Sequence, residues 1–420
     1  MTMSEIKVVP EEEYEEFIRI GAEAYPGMEV RTQADREKQL ERFSTMRRDE
    51  RWTPYGVYRD GKMVGIFRNF DFTLNVRGNL IPAGGLGYVA VDLMHKREHV
   101  AKDIVEFFVS HYDSQGAAMT TLWPFRVDFY RKMGYGLGGK TFQYRVKPEW
   151  LPRGKTKEHI RFLTGKDIPA IDECYNRMLE KRTGMIRHGE GYWENIFEFS
   201  EKLRFVGCEI DGRLEGYLVY SFKKPEHPTS FMDNDLIVSE FFYHTPEALS
   251  ELLTFLHTQH DQIDRVVLHT SEEEFYFLLH NPARDSGTSM PPIYHESHLA
   301  GVGVMYRVQN TRLLFEQLSG PVFGDVTLKL KITLHDSFFP KNNGSIVVHF
   351  EGGKATLADS EGSDVEISMD VAEFSSMIMG AVGFRKLHAY GLARISDISR
   401  LDDVDKLFAC AEKPICVTPF

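Results

Sequence analysis

An apolar strand, a basic turn and a helix follow one another between Gly87 and Lys102, in the string GYVAVDLMHKREHVAK. The first turn of a helix has backbone N–H groups without intrahelical partners, and these groups attract anions. Lys96, Arg97 and Lys102 add positive charge at the same place. The spacing therefore predicts a site for a pyrophosphate, beside a strand edge that could pair with an extended ligand chain.

Strands and helices must alternate around this turn to hold it. Asp60-Gly61 separates two runs of alternating apolar residues, and it favours the type I′ turn of a β-hairpin because both turn positions need positive φ. A strand over 80–91, a helix over 98–112, and strands over 118–123 and 141–146 complete the pattern. We therefore predict an N-terminal α/β unit, with a mixed sheet and flanking helices.

The pattern begins again after an interruption. Prolines and basic residues break it in KPEWLPRGKTKEH, which places a boundary near Lys147. DGRLEGYLV then echoes DGKMVGIFR of the first unit, and LIVSEFFYHTPEALSELLTFL repeats that unit's order of strand, turn and helix. Pro246 stands near the start of this second helix, where the first unit has basic residues. We expect the second unit to keep the fold and to lack the anion site.

A third module follows the linker NPARDSGTSMPPIYHESH and starts near Ala300. VGVMYRV, VTLKLKITL and SIVVHF read as strands, with tight turns expected at Asn343-Gly344 and Gly352-Gly353 and helices over 371–379 and 402–410. This segment is predicted to be an α+β domain. Because 420 residues exceed what one core usually serves, we expect three domains, over 1–147, 148–299 and 300–420.

Composition and charge restrict the class of partner. A formal net charge of −12 disfavours nucleic acid and would attract cationic molecules instead. The four cysteines form no CxxC pair, so neither a zinc site nor a disulfide framework is expected. The acidic start MTMSEIKVVPEEEYEEF does not look like a signal peptide, and no apolar run approaches the roughly 20 residues that span a bilayer. The expectation is a cytoplasmic protein without a membrane partner.

Three segments in order resemble one family. The basic turn is similar to the acyl-CoA motif [R/Q]-x-x-G-x-[G/A] of the GNAT superfamily, with Lys96 or Arg97 near its first position. His99 stands at the motif's glycine, and Ala101 stands at its end. FYRKMGYG closely resembles Y-x-x-[F/M]-G-[Y/F]-G of the Eis (enhanced intracellular survival) family, and YRVQNTRLLF, FFPKNNGSIVVHFEGG and SMIMGAVGFRKLHAYG look like that family's C-terminal domain. The resemblance implies two tandem GNAT-fold units and a sterol-carrier-like α+β domain.

The resemblance also implies two catalytic groups. Tyr130 would be the general acid, because a phenol with a reference pKa of about 10 stays protonated at neutral pH and can protonate the departing CoA sulfur. The main-chain carboxylate of Phe420, at the end of KPICVTPF, would be the base that takes a proton from the ammonium through water. Burial of this apolar end would raise the pKa of the carboxylate. Packing alone would also explain both residues.

The acetyl-CoA site follows by family position. A strand edge would align the pantetheine, the turn and the helix start would hold the pyrophosphate, and two residues after the next strand would flank the cofactor. These residues are Val89, Ala90, Val91, Arg97, Glu98, His99, Val100, Ala101, Lys102, Phe125 and Arg126. His95 and His99 lie four apart but overlap this turn, so no metal is expected.

The reaction implied is direct transfer of acetyl from acetyl-CoA to an amine of a small cationic molecule, aminoglycoside-like or polyamine-like. Two alternatives stay open: a protein lysine acetyltransferase, and a non-enzymatic protein that binds CoA or a lipid. The resemblance further implies a homo-oligomer, typically a hexamer, whereas composition and spacing do not address oligomeric state.

Overall fold

The computed structural model describes residues 4–28, 30, 32–46, 49, 51–200, 202–225, 233–283, 289–290, 293–358 and 362–420. Parts of the linker expected before Ala300 therefore lie outside the described residues. The chain forms two compact units. The first comprises Met1–Gly138, Arg182–Gly189 and Gly303–Phe420, and the second comprises Gly139–Lys181 and Glu190–Val302.

The N-terminal segment alternates strands and helices as its sequence pattern predicts. Its elements are β1 (Glu5–Val8), α1 (Tyr14–Ala24), α2 (Gln33–Met46), β2 (Trp52–Arg59), β3 (Lys62–Val76), β4 (Asn79–Val91), α3 (Val100–Ser114), β5 (Met119–Leu122), α4 (Val127–Arg131) and β6 (Gly136–Leu137). The Asp60-Gly61 turn between β2 and β3 is confirmed, with φ of 49° and 76° at its two residues. Helix α1 buries Phe17 and Ile20 in one hydrophobic cluster with this sheet. Helix α3 buries Ile104 and Phe108 in a second cluster.

The middle segment repeats this order in the second unit. Its elements are β7 (Lys140–Val146), β8 (Ile160–Leu163), α5 (Ile168–Leu179), α6 (Tyr192–Phe199), β9 (Arg204–Ile210), β10 (Arg213–Lys223), β11 (Asp235–Tyr243), α7 (Pro246–His257), β12 (Arg265–Thr270), β13 (Ser289–Met290), β14 (Tyr294–His295) and β15 (Leu299–Val302). Seven strands form a mixed sheet in the order β15-β7-β12-β11-β10-β9-β8. Asp211-Gly212 makes the repeated hairpin turn, with φ of 52° and 76°.

The C-terminal segment belongs entirely to the first unit. Its elements are β16 (Met305–Val308), α8 (Thr311–Gln317), β17 (Leu328–His335), β18 (Gly344–Glu351), β19 (Lys354–Leu357), β20 (Val365–Asp370), α9 (Val371–Ile378), α10 (Phe384–Ala389), β21 (Ala393–Ile395) and α11 (Leu401–Phe408). Strands β17 to β21 form a five-stranded sheet in the order β19-β18-β17-β20-β21, with helices packed on it. The predicted α/β and α+β classes are therefore confirmed.

Strand β16 completes the first sheet, whose order is β1-β2-β3-β4-β5-β16-β6. It pairs antiparallel with β5 and with β6, so Met305 lies opposite both Leu122 and Leu137. This strand comes about 170 residues after its neighbours in the chain, and no local pattern predicts such a pairing.

Of the two turn predictions in the C-terminal segment, one is confirmed and the other is wrong. Gly352-Gly353 has φ of 55° and 74° and makes the hairpin between β18 and β19, as predicted. Asn343-Gly344 is not the turn between β17 and β18, and that prediction was wrong. The two strands are joined by the longer connection 336–343, in which Asn343 has extended backbone angles. Among the described residues, no helix has the length and hydropathy to cross a membrane.

A buried ion pair ties β16 to the C-terminal sheet. Arg307 Nη2 lies 2.7 Å from Asp336 Oδ2, and both side chains are fully buried. Removing one partner of such a pair leaves an uncompensated charge. We expect Arg307→Met to destabilise the first unit by about 3–5 kcal/mol, measured as a lower midpoint of thermal or urea unfolding.

The matched control for this prediction is Arg385→Met, which breaks the exposed pair with Asp402 and should leave the midpoint unchanged. Adding Asp336→Leu to Arg307→Met should restore much of the loss, because the stranded carboxylate is then gone. If Arg307→Met alone unfolded at the wild-type midpoint, the ion pair would contribute nothing to stability.

Candidate active site

Strands β4 and β5 run side by side and then separate. Their parallel ladder extends from Ala83 opposite Met119 to Leu86 opposite Leu122, where it ends. Beyond that point, β4 continues to Val91 and remains paired with β3 on its other side. The edge of β4 from Gly87 onward is thus left open by β5. An extended ligand chain could add to it as a strand does.

A β-bulge shapes this open edge. The register between β3 and β4 shifts between Ile66, opposite Ala90, and Arg68, opposite Gly87. Tyr88 lies in the bulge with a positive φ of 51°. Bulges of this kind re-aim a side chain and interrupt pairing next to functional sites.

Tyr25, directly after α1, contacts the same edge of β4. Its hydroxyl donates to the carbonyl oxygen of Val89 at 2.5 Å, and its ring stacks on Tyr88 with centroids 5.8 Å apart. Burial and the neighbouring Tyr88 raise the pKa of Tyr25 to about 12. The hydroxyl therefore stays a donor at neutral pH and fixes the backbone beside the opening.

The basic turn leads from β4 into α3. His99 precedes the helix with φ of 66° and ψ of 8°, the left-handed conformation that glycine adopts most readily. Histidine tolerates this region better than most side chains do. The side chain at the motif's glycine position therefore does not prevent the turn. No side chain within the described residues caps α3. The N–H groups of Lys102 and Asp103 donate to the carbonyl of His99 at 2.9 and 3.0 Å, so the N–H groups before them are the ones that an anion could use.

Several charges of the turn already have partners. Glu98 accepts hydrogen bonds from Arg59 at 3.2 Å and pairs with His95 at 3.0 Å. Lys102 pairs with Glu106 at 2.9 Å, within the helix. Val100 is buried under the turn. Lys96 and Arg97 are both exposed, which leaves their side chains accessible to a pyrophosphate.

Tyr130 lies on α4 and is 1% exposed. Its ring packs edge-on against Phe125 and Tyr135, with centroid distances of 5.4 and 6.0 Å. Burial raises the pKa of Tyr130 well above its usual value, and nearby Tyr25 and Tyr135 add to the shift. The phenol is therefore protonated throughout the neutral range. Its proximity to Tyr25 connects it with the open edge of β4.

The structure explains why the motif has a glycine at position 134, after Tyr130. Gly134 turns the chain with φ of 80°, and a side chain there would collide with Arg307 and Val371. The string MGYG thus ends α4 tightly and starts β6. Of the two predicted flanking residues, Phe125 is 52% exposed with its ring on Phe129 and Tyr130, and Arg126 pairs with Asp128.

The end of the chain is held inside the first unit. The ring of Phe420 packs on Phe72 and Phe70, with centroids 4.9 and 5.7 Å apart. Its carboxyl carbon lies against Gly87, since a methyl group built on that glycine would be 2.7 Å away. The terminal carboxyl group therefore faces the start of the open edge of β4.

Hydrogen bonds hold the tail in this position. The carbonyl of Thr418 accepts from Trp123 Nε1 at 3.3 Å, and the Thr418 hydroxyl lies 3.0 Å from His188 Nε2. Further back, the backbone N–H of Ile415 donates to Thr183 at 2.9 Å. Burial and nearby Arg51 lower the pKa of His188 well below its usual value, so its ring is neutral. A neutral imidazole ring can form a hydrogen bond with the Thr418 hydroxyl without placing a positive charge beside the carboxyl group.

This arrangement makes a prediction for Gly87. Gly87→Ala would push a methyl group into the Phe420 carboxyl carbon and the Phe70 ring, 2.7 and 2.9 Å away. We expect the tail to shift and kcat to fall roughly 10- to 100-fold, because misplacement by about 1 Å costs about that much. Affinity for acetyl-CoA should stay unchanged. Steady-state kinetics and calorimetric binding of acetyl-CoA check this prediction. Gly165→Ala is the control, because the added methyl group meets no atom within 4 Å and this glycine has no positive φ.

The structure brings together residues that sequence reasoning placed apart, and adds others that it missed. Tyr25, Arg68, Tyr88, His188 and Thr418 surround the terminal carboxyl group or the open edge, and none was predicted. The bulge and the tail contacts depend on pairings distant in sequence, so no local signal marks them. The only sequence signal for these site residues is that some of them are tyrosine or arginine.

The second unit differs at the corresponding turn. Helix α7 starts with Pro246, and the hydroxyl of Thr245 accepts from the N–H of Ala248 at 3.1 Å. Part of the helix start is thus satisfied by its own side chain. In the same unit, His159, Glu247 and Glu251 offer ligand atoms within 4.8 Å of one another. The expectation of no metal therefore stays a prediction.

Comparison with known proteins gives the family. Residues 5–138 and 184–308 each match a model of an acetyltransferase (GNAT) domain, and residues 314–417 match a sterol carrier protein domain. Among curated proteins, no relative matches.

Solved structures share the fold over the whole chain. A GCN5-related N-acetyltransferase from Anabaena variabilis has a TM-score of 0.82 at 16% identity, and covers 100% of both chains. A probable N-acyltransferase from Enterococcus faecalis has 0.82 at 18%, and Eis1 from Mycobacterium abscessus has 0.73 at 18%, again over 100% of both chains. Such identities establish the fold, and the two domain models establish the enzyme class. This chain is an acyltransferase with two GNAT acetyltransferase domains followed by a sterol carrier protein domain.

Proposed function

We propose that this protein transfers acetyl from acetyl-CoA to a small amine, in one site at the open edge of β4. The observation that carries the proposal is the placement of the Phe420 carboxyl group against Gly87, on the strand whose carbonyl at Val89 is held by Tyr25. A base at the start of this edge and a buried phenol near it suit a reaction that must remove one proton and supply another.

The residues for acetyl-CoA are proposed as follows. Val89, Ala90 and Val91 would pair with the pantetheine, because β5 leaves their edge open. The segment from Arg97 to Lys102 would face the pyrophosphate with its unbonded N–H groups and its basic side chains, in a turn whose left-handed His99 reproduces the glycine conformation. Phe125 and Arg126 would flank the opposite side. Acetyl-CoA supplies the thioester that the amine attacks.

The proton transfers are assigned to two groups. The Phe420 carboxylate would accept a proton from the ammonium, through water, so that a neutral amine can attack the carbonyl carbon. As the C–N bond forms and the C–S bond breaks, negative charge develops on sulfur. Tyr130 would donate a hydrogen bond to the sulfur and then its proton. Because burial raises its pKa, we expect the hydrogen bond to act before the full transfer.

The acceptor expected from the net charge of −12 is a cationic amine, aminoglycoside-like or polyamine-like. A lysine side chain of a protein is the alternative. The N-acetyl product identifies the acceptor class.

Thiol release from acetyl-CoA tests the proposal. Wild-type protein should release one thiol for each acetylated amine found by mass spectrometry, with at least one member of a panel of polyamines, aminoglycosides, amino acids and lysine peptides. Release without an acetylated product would mean hydrolysis. Acetyl-CoA binding without release, for every amine, would contradict the proposal.

The domain extents 1–147, 148–299 and 300–420 and a cytoplasmic location are proposed on the sequence pattern. A homohexamer is proposed on the family resemblance. Light scattering should give six times the chain mass of 48.4 kDa. A monomer mass would overturn the hexamer.

A further inference from the structure

Arg68, on β3, has no anionic partner among the residues that the structure describes. Within the described part of the chain no carboxylate lies at ion-pairing distance from it, and its Nε is buried without a hydrogen-bond partner. Its guanidinium instead lies over the rings of Trp52, Tyr88 and Phe43, at 4.5, 4.6 and 5.2 Å. Aromatic faces attract a cation, but they do not neutralise it.

This side chain lines a cavity of about 320 Å³ between β3, β4, α1 and α2. Ile18, Met28, Phe43 and Tyr88 give the cavity apolar walls, and Arg42 adds a second guanidinium. Burial lowers the pKa of Arg68 to about 10, with Tyr88 opposing this shift and the like charge of Arg42 adding to it, so Arg68 remains a cation at neutral pH. The volume is that of a site for a small molecule.

The cavity is on the same face of the sheet as the terminal carboxyl group. Arg68 lies directly opposite Gly87, so their side-chain directions coincide, and Gly87 is the residue that faces the Phe420 carboxyl carbon. Phe70, two residues along β3 and on the same face, touches the Phe420 ring. Two residues along a strand span about 7 Å. The lining of the cavity includes Arg68 but not Phe420, so a ligand bound at Arg68 would have to extend beyond the cavity by about this distance to bring its amine to the carboxyl group.

Because the Arg68 guanidinium has no counter-ion among the described residues and lies between apolar walls, the cavity favours a ligand that carries an anionic group. The planar guanidinium matches a carboxylate through two parallel hydrogen bonds. A polycation would instead place like charges against Arg68 and Arg42. This cavity thus selects against the very class of acceptor that the net charge suggests.

We propose that the acceptor is an amine that also carries a carboxylate, with the carboxylate bound by Arg68 and the amine presented to Phe420. This inference rests on the proposed acetyl transfer, and it replaces the polycationic acceptor suggested by the net charge with amino-acid-like molecules. The apolar walls fit a hydrocarbon or aromatic body between the two polar ends.

The test compares pairs of acceptors that differ only in this group: 4-aminobutyrate with 4-aminobutanamide, and phenylalanine with phenylalaninamide. Wild type should favour the carboxylate in kcat/KM by roughly 10- to 100-fold, the range of a charge-assisted hydrogen bond. Arg68→Met should remove the preference, and Arg68→Lys should keep part of it. Comparing the ratio between variants cancels intrinsic differences in amine reactivity.

Two controls make the result specific. Arg394→Met removes an exposed arginine on β21 and should keep the wild-type ratio. Acetyl-CoA affinity and the unfolding midpoint of Arg68→Met should match wild type. A raised KM for acetyl-CoA with unchanged amine selectivity would assign Arg68 to the cofactor and overturn the inference.

A binding measurement separates failure of the inference from failure of the proposed function. Wild type should bind 4-acetamidobutyrate in calorimetry, and Arg68→Met should bind it at least tenfold more weakly. Absence of turnover with any amine would overturn the proposed function alone if this difference holds. Equal binding by both proteins, or a preference for spermidine or the amides, would overturn the inference.

Discussion

Deleting Phe420 is expected to reduce kcat by roughly 10²- to 10⁴-fold, the usual contribution of a positioned general base. The new terminal carboxylate would belong to Pro419, one residue short of Gly87 and the open edge of β4. Affinity for acetyl-CoA should change little, because the predicted cofactor residues lie on β4, α3 and the segment after β5. Amine-dependent thiol release and calorimetry measure the two effects separately.

Two further variants separate the carboxylate from the phenyl ring. Phe420→Leu keeps the terminal carboxylate and loses the ring contacts with Phe70, Phe72 and Trp123. A chain extended by one glycine keeps the ring and displaces the charge. The extended chain should lose far more activity than the leucine variant. Intact mass must first show that the purified protein ends at Phe420. Full activity of the extended chain would rule out the terminal carboxylate as the base.

Tyr130→Phe is expected to have the second large effect, a fall in kcat of roughly 10²- to 10⁴-fold. The substitution removes one oxygen from a side chain that is 1% exposed, and it leaves the packing on Phe125 and Tyr135 in place. The thiolate then leaves without a proton donor. Tyr135→Phe is the matched control, because its hydroxyl lies 3.2 Å from Thr120 inside the core, and its loss should change kcat little.

The pH dependence follows from the direction of the pKa shift. Burial raises the pKa of Tyr130 above its ordinary value near 10, so the folded protein keeps this hydroxyl protonated at every pH below that value. An alkaline decline of kcat below pH 10 therefore cannot arise from Tyr130. Tyr130→Phe should show the wild-type profile shape at a lower rate. An alkaline limb that disappears in the variant would contradict this assignment.

Local chemistry explains which parts of the fold were predictable. The Asp60-Gly61 and Asp211-Gly212 hairpins, and the step from β4 through the basic turn into α3, depend on neighbouring residues, and all three are present in the structure. The repeated hairpin identified the second sheet. The glycine at 134 is likewise explained by a tight turn, so the motif around Tyr130 has a local structural cause.

Pairings between distant segments explain what was missed. Strand β16 joins β5 and β6 from far along the chain. Arg77, at the β3–β4 turn, donates to the carbonyls of Val322, Phe408 and Ala409 at 3.1, 3.2 and 2.9 Å, and nothing near it in sequence announces this contact. Arg68 looks like any strand arginine until its aromatic surroundings are known. Site residues of this kind require the tertiary structure.

The most direct test of the account is amine-dependent thiol release from acetyl-CoA, measured for wild type, Tyr130→Phe and the glycine-extended chain beside their acetyl-CoA affinities. We predict turnover by wild type, and release below about 1% of that rate by both variants at acetyl-CoA affinities within about twofold. Wild-type rates in either variant, or acetyl-CoA binding by wild type without release for any amine, would contradict the account.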